Sequence, residues 1–147
     1  MTSPISVDFE TAKSNINRYL NLSPPTIFAV ENAVQPATDL IKLIEHTPVV
    51  LTYDEANSYQ PDGSVKDDLS AFWRSIQMKD LTSVHFKQKT TDGVLTELED
   101  GWVDLRSIIR KLNQSNYQGD LLLENTPSND PLTDAINSRH YLLDCLD

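Results

Sequence analysis

Four short apolar segments, alternating with amphipathic helical patterns, constrain the fold of this chain more than any other feature. The segments predicted as strands are 26–30 (TIFAV), 48–53 (PVVLTY), 81–86 (LTSVHF) and 121–123 (LLL). None of them shows the sustained apolar–polar alternation of a strand with one face in water. Short strands of this kind, joined through helices, are typical of a parallel sheet with right-handed crossovers.

Apolar residues at helical spacing predict five helices, over 7–20, 36–45, 65–76, 103–114 and 131–146. One helix precedes the first strand and each of the others follows a strand, so the order is α and then βα four times. Ser6 or Asp8 can cap the first helix, and Pro36 suits the first turn of the second. We therefore expect an α/β fold with a single domain over residues 1–147.

The charge and cysteine content argue against some classes of protein. The 147 residues carry 22 acidic and 12 basic side chains, a net charge of -10. Nucleic-acid binding needs a basic face, so the acid excess indicates solubility instead. Cys145 is the single cysteine, so no disulfide can form within the chain, which fits a reducing compartment. Since no signal-peptide pattern and no membrane-spanning apolar run are present, we expect a cytoplasmic protein without a nucleic-acid or membrane partner.

Residues that can bind a metal or move a proton stand at or near the end of every predicted strand: Glu31, Asp54, His85 and Glu124. The carboxyl ends of parallel strands share one rim, where functional sites are commonly built from several strand ends. Three carboxylates and an imidazole converging there would repel and be partly desolvated, and a divalent cation would relieve this. Such a ligand set suits Mn²⁺, Mg²⁺, Co²⁺ or Zn²⁺ without selecting one.

Each of these residues also has a purely structural interpretation. An acidic residue after a strand is often a helix cap or a first-turn acid, and a histidine in an apolar segment is often a satisfied core residue. It is the occurrence of four such residues at successive strand ends that favours a functional site.

The motifs around these residues resemble the second half of the xylose-isomerase-like sugar isomerase and epimerase barrels. The similar segments are IFAVEN (27–32), VVLTYDEANSY (49–59), SVHFKQ (83–88) and the long stretch GWVDLRSIIRKLNQSNYQGDLLLE (101–124). In that family they correspond to strands five to eight of a TIM barrel. The resemblance therefore implies a (βα)4 half of a TIM barrel, preceded by one helix.

The resemblance also implies roles for individual residues. Glu31, Asp54, His85 and Glu124 would bind a divalent metal, while Asn57 and Lys87 would contact a sugar or sugar phosphate. Glu31 and Glu124 would also be the catalytic pair, moving a proton through an enediolate intermediate. Gln88 departs from the pattern, because the family usually has an aspartate there.

Alternative functions remain open beside a metal-dependent isomerase or epimerase. A catalytically inactive half-barrel, serving as a partner or binding subunit, would fit the same fold. A metal-dependent endonuclease of a related barrel fits less well, because the chain has only His46, His85 and His140 and is acidic. Half a barrel would expose two sheet edges and an apolar inner face. We therefore expect a homodimer or a separate N-terminal half-barrel chain to complete it, unless the sequence is a truncated piece.

Overall fold

A computed structural model of the chain describes residues 8–22 and 27–146. The α-helices are α1 (Phe9–Leu22), α2 (Ala37–Ile44), α3 (Leu69–Ser75), α4 (Leu105–Gln114) and α5 (Pro131–Asp144). The strands are β1 (Ala29–Glu31), β2 (Val50–Asp54), β3 (Leu81–Phe86), β4 (Lys89–Thr90), β5 (Gly93–Val94) and β6 (Asp120–Leu123). Short 3-10 helices cover Glu55–Ser58 and Met78–Asp80. None of the described helices is long and apolar enough to cross a membrane.

Four of the strands form one parallel sheet in the order β1-β2-β3-β6. Its order follows the order along the chain, as expected of consecutive βα units with crossovers of one hand. Strands β1 and β6 therefore lie at the two edges of the sheet. The predicted α/β fold with parallel strands is confirmed, although residue 26 of the first predicted strand lies outside the described residues.

The two faces of the sheet differ in chemistry, because successive strand residues point to opposite sides. Leu51, Tyr53, Val84 and Phe86 are buried in the core together with apolar residues of α2, α3 and α4. The ring of Tyr53 stacks on Phe72 of α3 with centroids 3.9 Å apart.

The opposite face would line the inside of a barrel, and it is mixed. It carries Thr52 and Ser83, whose hydroxyl oxygens lie 2.8 Å apart, as well as Val50 and Leu122 beside them. The expectation of an apolar inner face was therefore wrong: polar strand residues alternate with the buried ones.

Side-chain caps set the helix starts more narrowly than the apolar pattern did. Helix α3 begins at Leu69 and not at 65, because the Asp68 carboxylate accepts a hydrogen bond from the Ala71 N–H. Helix α4 begins at Leu105 and not at 103, because Asp104 accepts in the same way from Ser107. Asp8 binds the first N–H groups of α1, while the alternative cap, Ser6, lies outside the described residues.

The segment between β3 and α4 is more ordered than its polar composition indicated. It contains the antiparallel hairpin of β4 and β5, where Gly93 has a φ of 106° that favours glycine. Buried Gln88 anchors this segment: its amide donates to the Val103 carbonyl and accepts from the Val103 N–H, at 2.8 and 3.0 Å.

Candidate metal centre

The four residues predicted at the strand ends come together at the carboxyl rim of the sheet. Glu31 and Asp54 end β1 and β2, His85 is the penultimate residue of β3, and Glu124 directly follows β6. The parallel register places Asp54 beside His85. One nitrogen or oxygen atom from each of the four side chains lies within 4.8 Å of all the others. The rim is thus a compact cluster of three carboxylates and one imidazole.

Asp54 is the buried member of the cluster, with no exposed side-chain surface. Buried Asn32, which follows β1, holds its backbone from both sides: the amide donates to the Asp54 carbonyl at 2.7 Å and accepts from the Asp54 N–H at 2.8 Å. The Ala56 N–H donates to Asp54 Oδ1 at 2.9 Å. These bonds fix the carboxylate so that its second oxygen, Oδ2, turns toward Lys87.

Lys87 is a cation within the cluster. Its Nζ lies 2.6 Å from Asp54 Oδ2 and 3.0 Å from Glu124 Oε2. The side chain is only 11% exposed, so its stem is covered while its ammonium lies between two carboxylates. Apart from this ion pair, Asp54 Oδ2 is buried without a hydrogen-bonding partner.

His85 and Asn57 connect the remaining acids. His85 Nδ1 lies 3.1 Å from Glu124 Oε2 and 3.8 Å from Glu31 Oε1. Asn57, in the 3-10 helix after β2, donates from Nδ2 to Glu31 Oε1 at 3.1 Å. Each predicted site residue therefore contacts at least one other, and their roles as ligands, catalysts or substrate contacts stay predictions.

Burial and neighbouring charges shift the pKa values of two acids of the cluster in opposite directions. Burial raises the pKa of Asp54, even though the Lys87 ammonium opposes the shift. Burial acts in the same direction on Glu124, but the hydrogen bond and charge of Lys87 and the contact with His85 outweigh it and lower the pKa. Burial disfavours the charged form of Lys87, but its two carboxylate partners outweigh that effect and raise the pKa. Lys87 is therefore a cation at neutral pH, and Glu124 is ionised.

The donor set fits a divalent metal ion. Mg²⁺ and Zn²⁺ bind oxygen and nitrogen ligands at about 2.0–2.2 Å, so two ligand atoms of one ion lie at most about 4.4 Å apart. Donor atoms that all lie within 4.8 Å of one another need only small side-chain movements to reach that spacing. Glu31, Asp54, His85 and Glu124 could thus hold the ion.

Other polar residues considered from the sequence make no contact with the cluster. His46 is exposed and has a φ of 64° just after α2. His140, in α5, lines a cavity of about 350 Å³ with several acids, among them Glu97 and Asp134. The Gln88 amide makes its hydrogen bonds to the backbone of Val103 and not to the ring of His85.

A buried carboxylate next to the cluster was not singled out from the sequence. Glu55 is 5% exposed and accepts hydrogen bonds from the Tyr53 hydroxyl at 3.0 Å and the Trp73 indole at 3.1 Å. Burial raises its pKa, although these two donors favour the ionised form. The sequence signal near Glu55 was the aromatic residues Tyr53 and Trp73, and their pattern predicted only a hydrophobic core.

Solved structures with the same fold are TIM barrels of the xylose-isomerase type. The chain is similar to 3-keto-D-glucoside 4-epimerase from E. coli, with 19% identity and a TM-score of 0.71 over 99% of this chain and 57% of the other. It is also similar to a xylose isomerase domain-containing protein from Salmonella typhimurium, with 16% identity and a TM-score of 0.69 over 97% and 59% of the two chains. Endonuclease IV from Thermus thermophilus gives 18% identity and a TM-score of 0.65 over 96% and 60%.

These likenesses confirm the predicted fold, a (βα)4 half of a TIM barrel. The chain is covered almost completely, yet it spans only 57 to 60% of the length of the three solved chains. Identities of 16 to 19% establish the fold and leave activity undecided. No family model and no curated protein sequence matches the chain significantly.

Proposed function

We propose that this chain carries the metal centre of a divalent-metal-dependent sugar, or sugar phosphate, isomerase or epimerase. The observation that carries the proposal is the meeting of Glu31, Asp54, His85 and Glu124 at one rim, with donor atoms within 4.8 Å of one another. The rim lies at the carboxyl ends of the strands, where TIM-barrel active sites are found. Two of the three solved structures described above are named for sugar chemistry, as an epimerase and as a xylose isomerase domain.

The chemistry proposed is the transfer of a proton next to a sugar carbonyl. A bound divalent ion would supply Lewis acidity, polarising the carbonyl and making the adjacent C–H more acidic. Glu31 and Glu124 lie 3.8 and 3.1 Å from His85 Nδ1, so a substrate carbon bound between the two carboxylates could lose a proton to one and regain it from the other. The intermediate in such a transfer is an enediolate.

Two further side chains would orient the substrate. Asn57 already binds Glu31 and can direct that carboxylate or a sugar hydroxyl. The Lys87 ammonium pairs with Glu124; once an ion occupies the carboxylates, the ammonium could reach a sugar oxygen at the open side of the rim, where a positive charge would stabilise the oxyanion of the enediolate. Neither residue has to carry the proton itself.

Metal binding and turnover together test this function. We expect Mn²⁺ to raise the melting temperature of the purified chain and a panel of ketoses to be interconverted, with Glu124→Gln losing at least about a hundredfold in rate. Glu97→Gln, at an exposed acid outside the four-residue cluster, is the control and should keep its rate. Absence of any effect of divalent ions on melting would refute the metal function.

A half-barrel that binds but does not catalyse is the second candidate. The observation that favours it is length: the chain spans 57 to 60% of solved chains with this fold, and Gln88 replaces an aspartate of the resembled motif. This candidate predicts metal-dependent stabilisation without turnover in the isolated chain. Endonuclease activity is disfavoured by the charge of -10 and by a cluster with one histidine.

We also propose that a second half-barrel completes the sheet. Edge strands β1 and β6 each leave one side of their backbone without a strand partner among the described residues, and open edges pair readily with further strands. Beside β6, a groove of about 500 Å³ is lined by apolar side chains including Leu121, Leu123, Ile136 and Leu142. A second copy of the chain, related by a two-fold axis, would bring the strand number to eight.

A further inference from the structure

We propose that Lys87 is an exchangeable counter-ion of the rim cluster, which balances the carboxylates and must move away when a divalent ion binds. The inference goes beyond a substrate-binding role for this residue. The displacement of Lys87 by a metal rests on the proposed metal function. The balancing of charge by Lys87 rests only on the observed ion pairs.

The position of the ammonium is the first support. Lys87 Nζ lies 2.6 Å from Asp54 Oδ2 and 3.0 Å from Glu124 Oε2, two of the four side chains that could hold a metal. Glu124 Oε2 is also the atom that meets His85 Nδ1 at 3.1 Å. The ammonium therefore lies against two of the carboxylates that a bound ion would need.

The burial of Asp54 is the second support. Its side chain has no exposed surface, and apart from Lys87 its Oδ2 has no polar partner, so the Lys87 charge is what compensates that oxygen. A buried carboxylate that loses its counter-ion is strongly destabilising. Lys87 is therefore expected to matter most for the stability of the chain when no metal is bound.

Competition between the two cations follows from distance. A metal ion held by Asp54 and Glu124 would lie about 2.1 Å from their oxygens, while the ammonium lies within 3.0 Å of oxygens of the same carboxylates. Two cations that close would repel, most strongly next to the fully buried Asp54 carboxylate. Metal binding must break the ion pairs of Lys87, so the lysine lowers metal affinity and is released toward the open side of the rim.

The experiment compares Lys87→Met with wild type by thermal unfolding in a chelator and by calorimetric titration with Mn²⁺. Methionine keeps a long apolar stem and removes the charge. We expect metal-free Lys87→Met to melt roughly 10 °C lower than wild type, and to bind Mn²⁺ at least about tenfold more tightly. Saturation with Mn²⁺ should remove most of the difference in melting temperature.

Lys89→Met is the matched control. Lys89 is also partly buried, but its Nζ donates to the Tyr59 carbonyl at 2.8 Å and, within the described part of the chain, pairs with no carboxylate. Its loss should lower stability equally with and without Mn²⁺ and leave the affinity unchanged. If Lys87→Met binds Mn²⁺ no more tightly than wild type, or melts at the wild-type temperature without metal, the counter-ion role is wrong.

A double variant covers the case in which Lys87→Met does not fold. Asp54→Asn combined with Lys87→Met removes both charges, so folding should be restored if the unpaired carboxylate was the cause. Failure of that rescue would overturn the inference. If wild type and Lys87→Met both ignore Mn²⁺, the metal function and the displacement fail together, and the melting temperature of the metal-free variant still decides the charge-balancing role.

Discussion

At the scale of single residues, the site depends on side chains that hold others in place. Asn32 makes two hydrogen bonds to the backbone of Asp54, much as a neighbouring strand would, and so extends the pairing of β1 and β2 beyond the end of β1. Asn32 directly follows Glu31, so the same chain segment supplies the Glu31 carboxylate and the side chain that holds Asp54 in place.

Replacing Asn32 should destabilise the fold. In Asn32→Ala, the buried N–H and C=O of Asp54 lose their partners, at a cost of about 2–4 kcal/mol, and metal affinity should fall as the carboxylate loses its orientation. Urea unfolding and Mn²⁺ titration measure the two effects. Asn113→Ala, at an exposed site in α4, should change neither by more than about 0.5 kcal/mol.

Glu55 gives the chain a predicted dependence on pH. Because burial raises its pKa in the folded state, the acid form favours folding at low pH, and this contribution is lost as the pH rises through the raised value. Glu55→Gln keeps an acceptor for Tyr53 and Trp73 but cannot ionise, so its stability relative to wild type should increase between pH 5 and pH 8. Urea unfolding at both pH values measures this.

The surface control for that experiment is Glu97→Gln, since Glu97 is exposed. Any pH dependence of its stability relative to wild type measures the effect of replacing a surface glutamate and is subtracted from that of Glu55→Gln. A constant difference for Glu55→Gln after that subtraction would contradict the predicted effect of burial on this carboxyl group.

At the scale of elements, acidic caps decide where helices begin. Asp68, Asp104 and Asp130 each accept a hydrogen bond from the third residue into their helix, which satisfies an N–H that has no partner within the helix. The apolar pattern placed α3 and α4 too early, because it identifies the buried face of a helix and is insensitive to its first turn.

Removing the cap of α4 should cost a modest and measurable amount of stability. Asp104→Ala leaves the Ser107 N–H unpaired, and we expect a loss of about 1 kcal/mol in urea unfolding. Asp104→Asn keeps an oxygen acceptor at the same place and should lose only a few tenths of that. Equal losses in the two variants would show that the hydrogen bond is not the source of the stabilisation.

At the scale of the whole molecule, the open edges of the sheet support the proposed association with a second half-barrel. Apolar side chains near these edges are exposed, with Leu121 at 49% and Leu122 at 42% in β6, and Ile27 at 75% just before β1. Burying such groups is a driving force for association. The inner face of the sheet carries polar as well as apolar side chains, so it can remain in contact with water when β1 and β6 pair with a second half-barrel.

Light scattering on the purified chain measures the predicted association. We expect a mass of two chains and not the 16.6 kDa of one. Leu121→Asp, in the groove beside β6, should shift the protein toward the monomer, because a charge would enter an apolar interface. Leu132→Asp, at a position 70% exposed at the start of α5, should leave the mass unchanged; a monomeric wild type would contradict closure by a second copy.

The sequence by itself determined the order of the five α-helices and of the four strands in the parallel sheet, as well as the four residues of the rim. Hydrophobic periodicity reports which face of a helix or strand is buried, and parallel strands bring their carboxyl ends to one edge. These two rules suffice to bring Glu31, Asp54, His85 and Glu124 together. The resemblance of the surrounding motifs to xylose-isomerase-like barrels added Asn57 and Lys87.

Only the tertiary structure decided the contacts that depend on long-range side-chain geometry. The clamp of Asn32 on Asp54, the commitment of Gln88 to Val103 and the ion pairs of Lys87 join residues 15 to 37 positions apart. No local pattern encodes them, because burial and hydrogen bonding between distant segments depend on how those segments pack. Sequence periodicity thus placed the charged residues on the rim, and packing determined which of them balance one another.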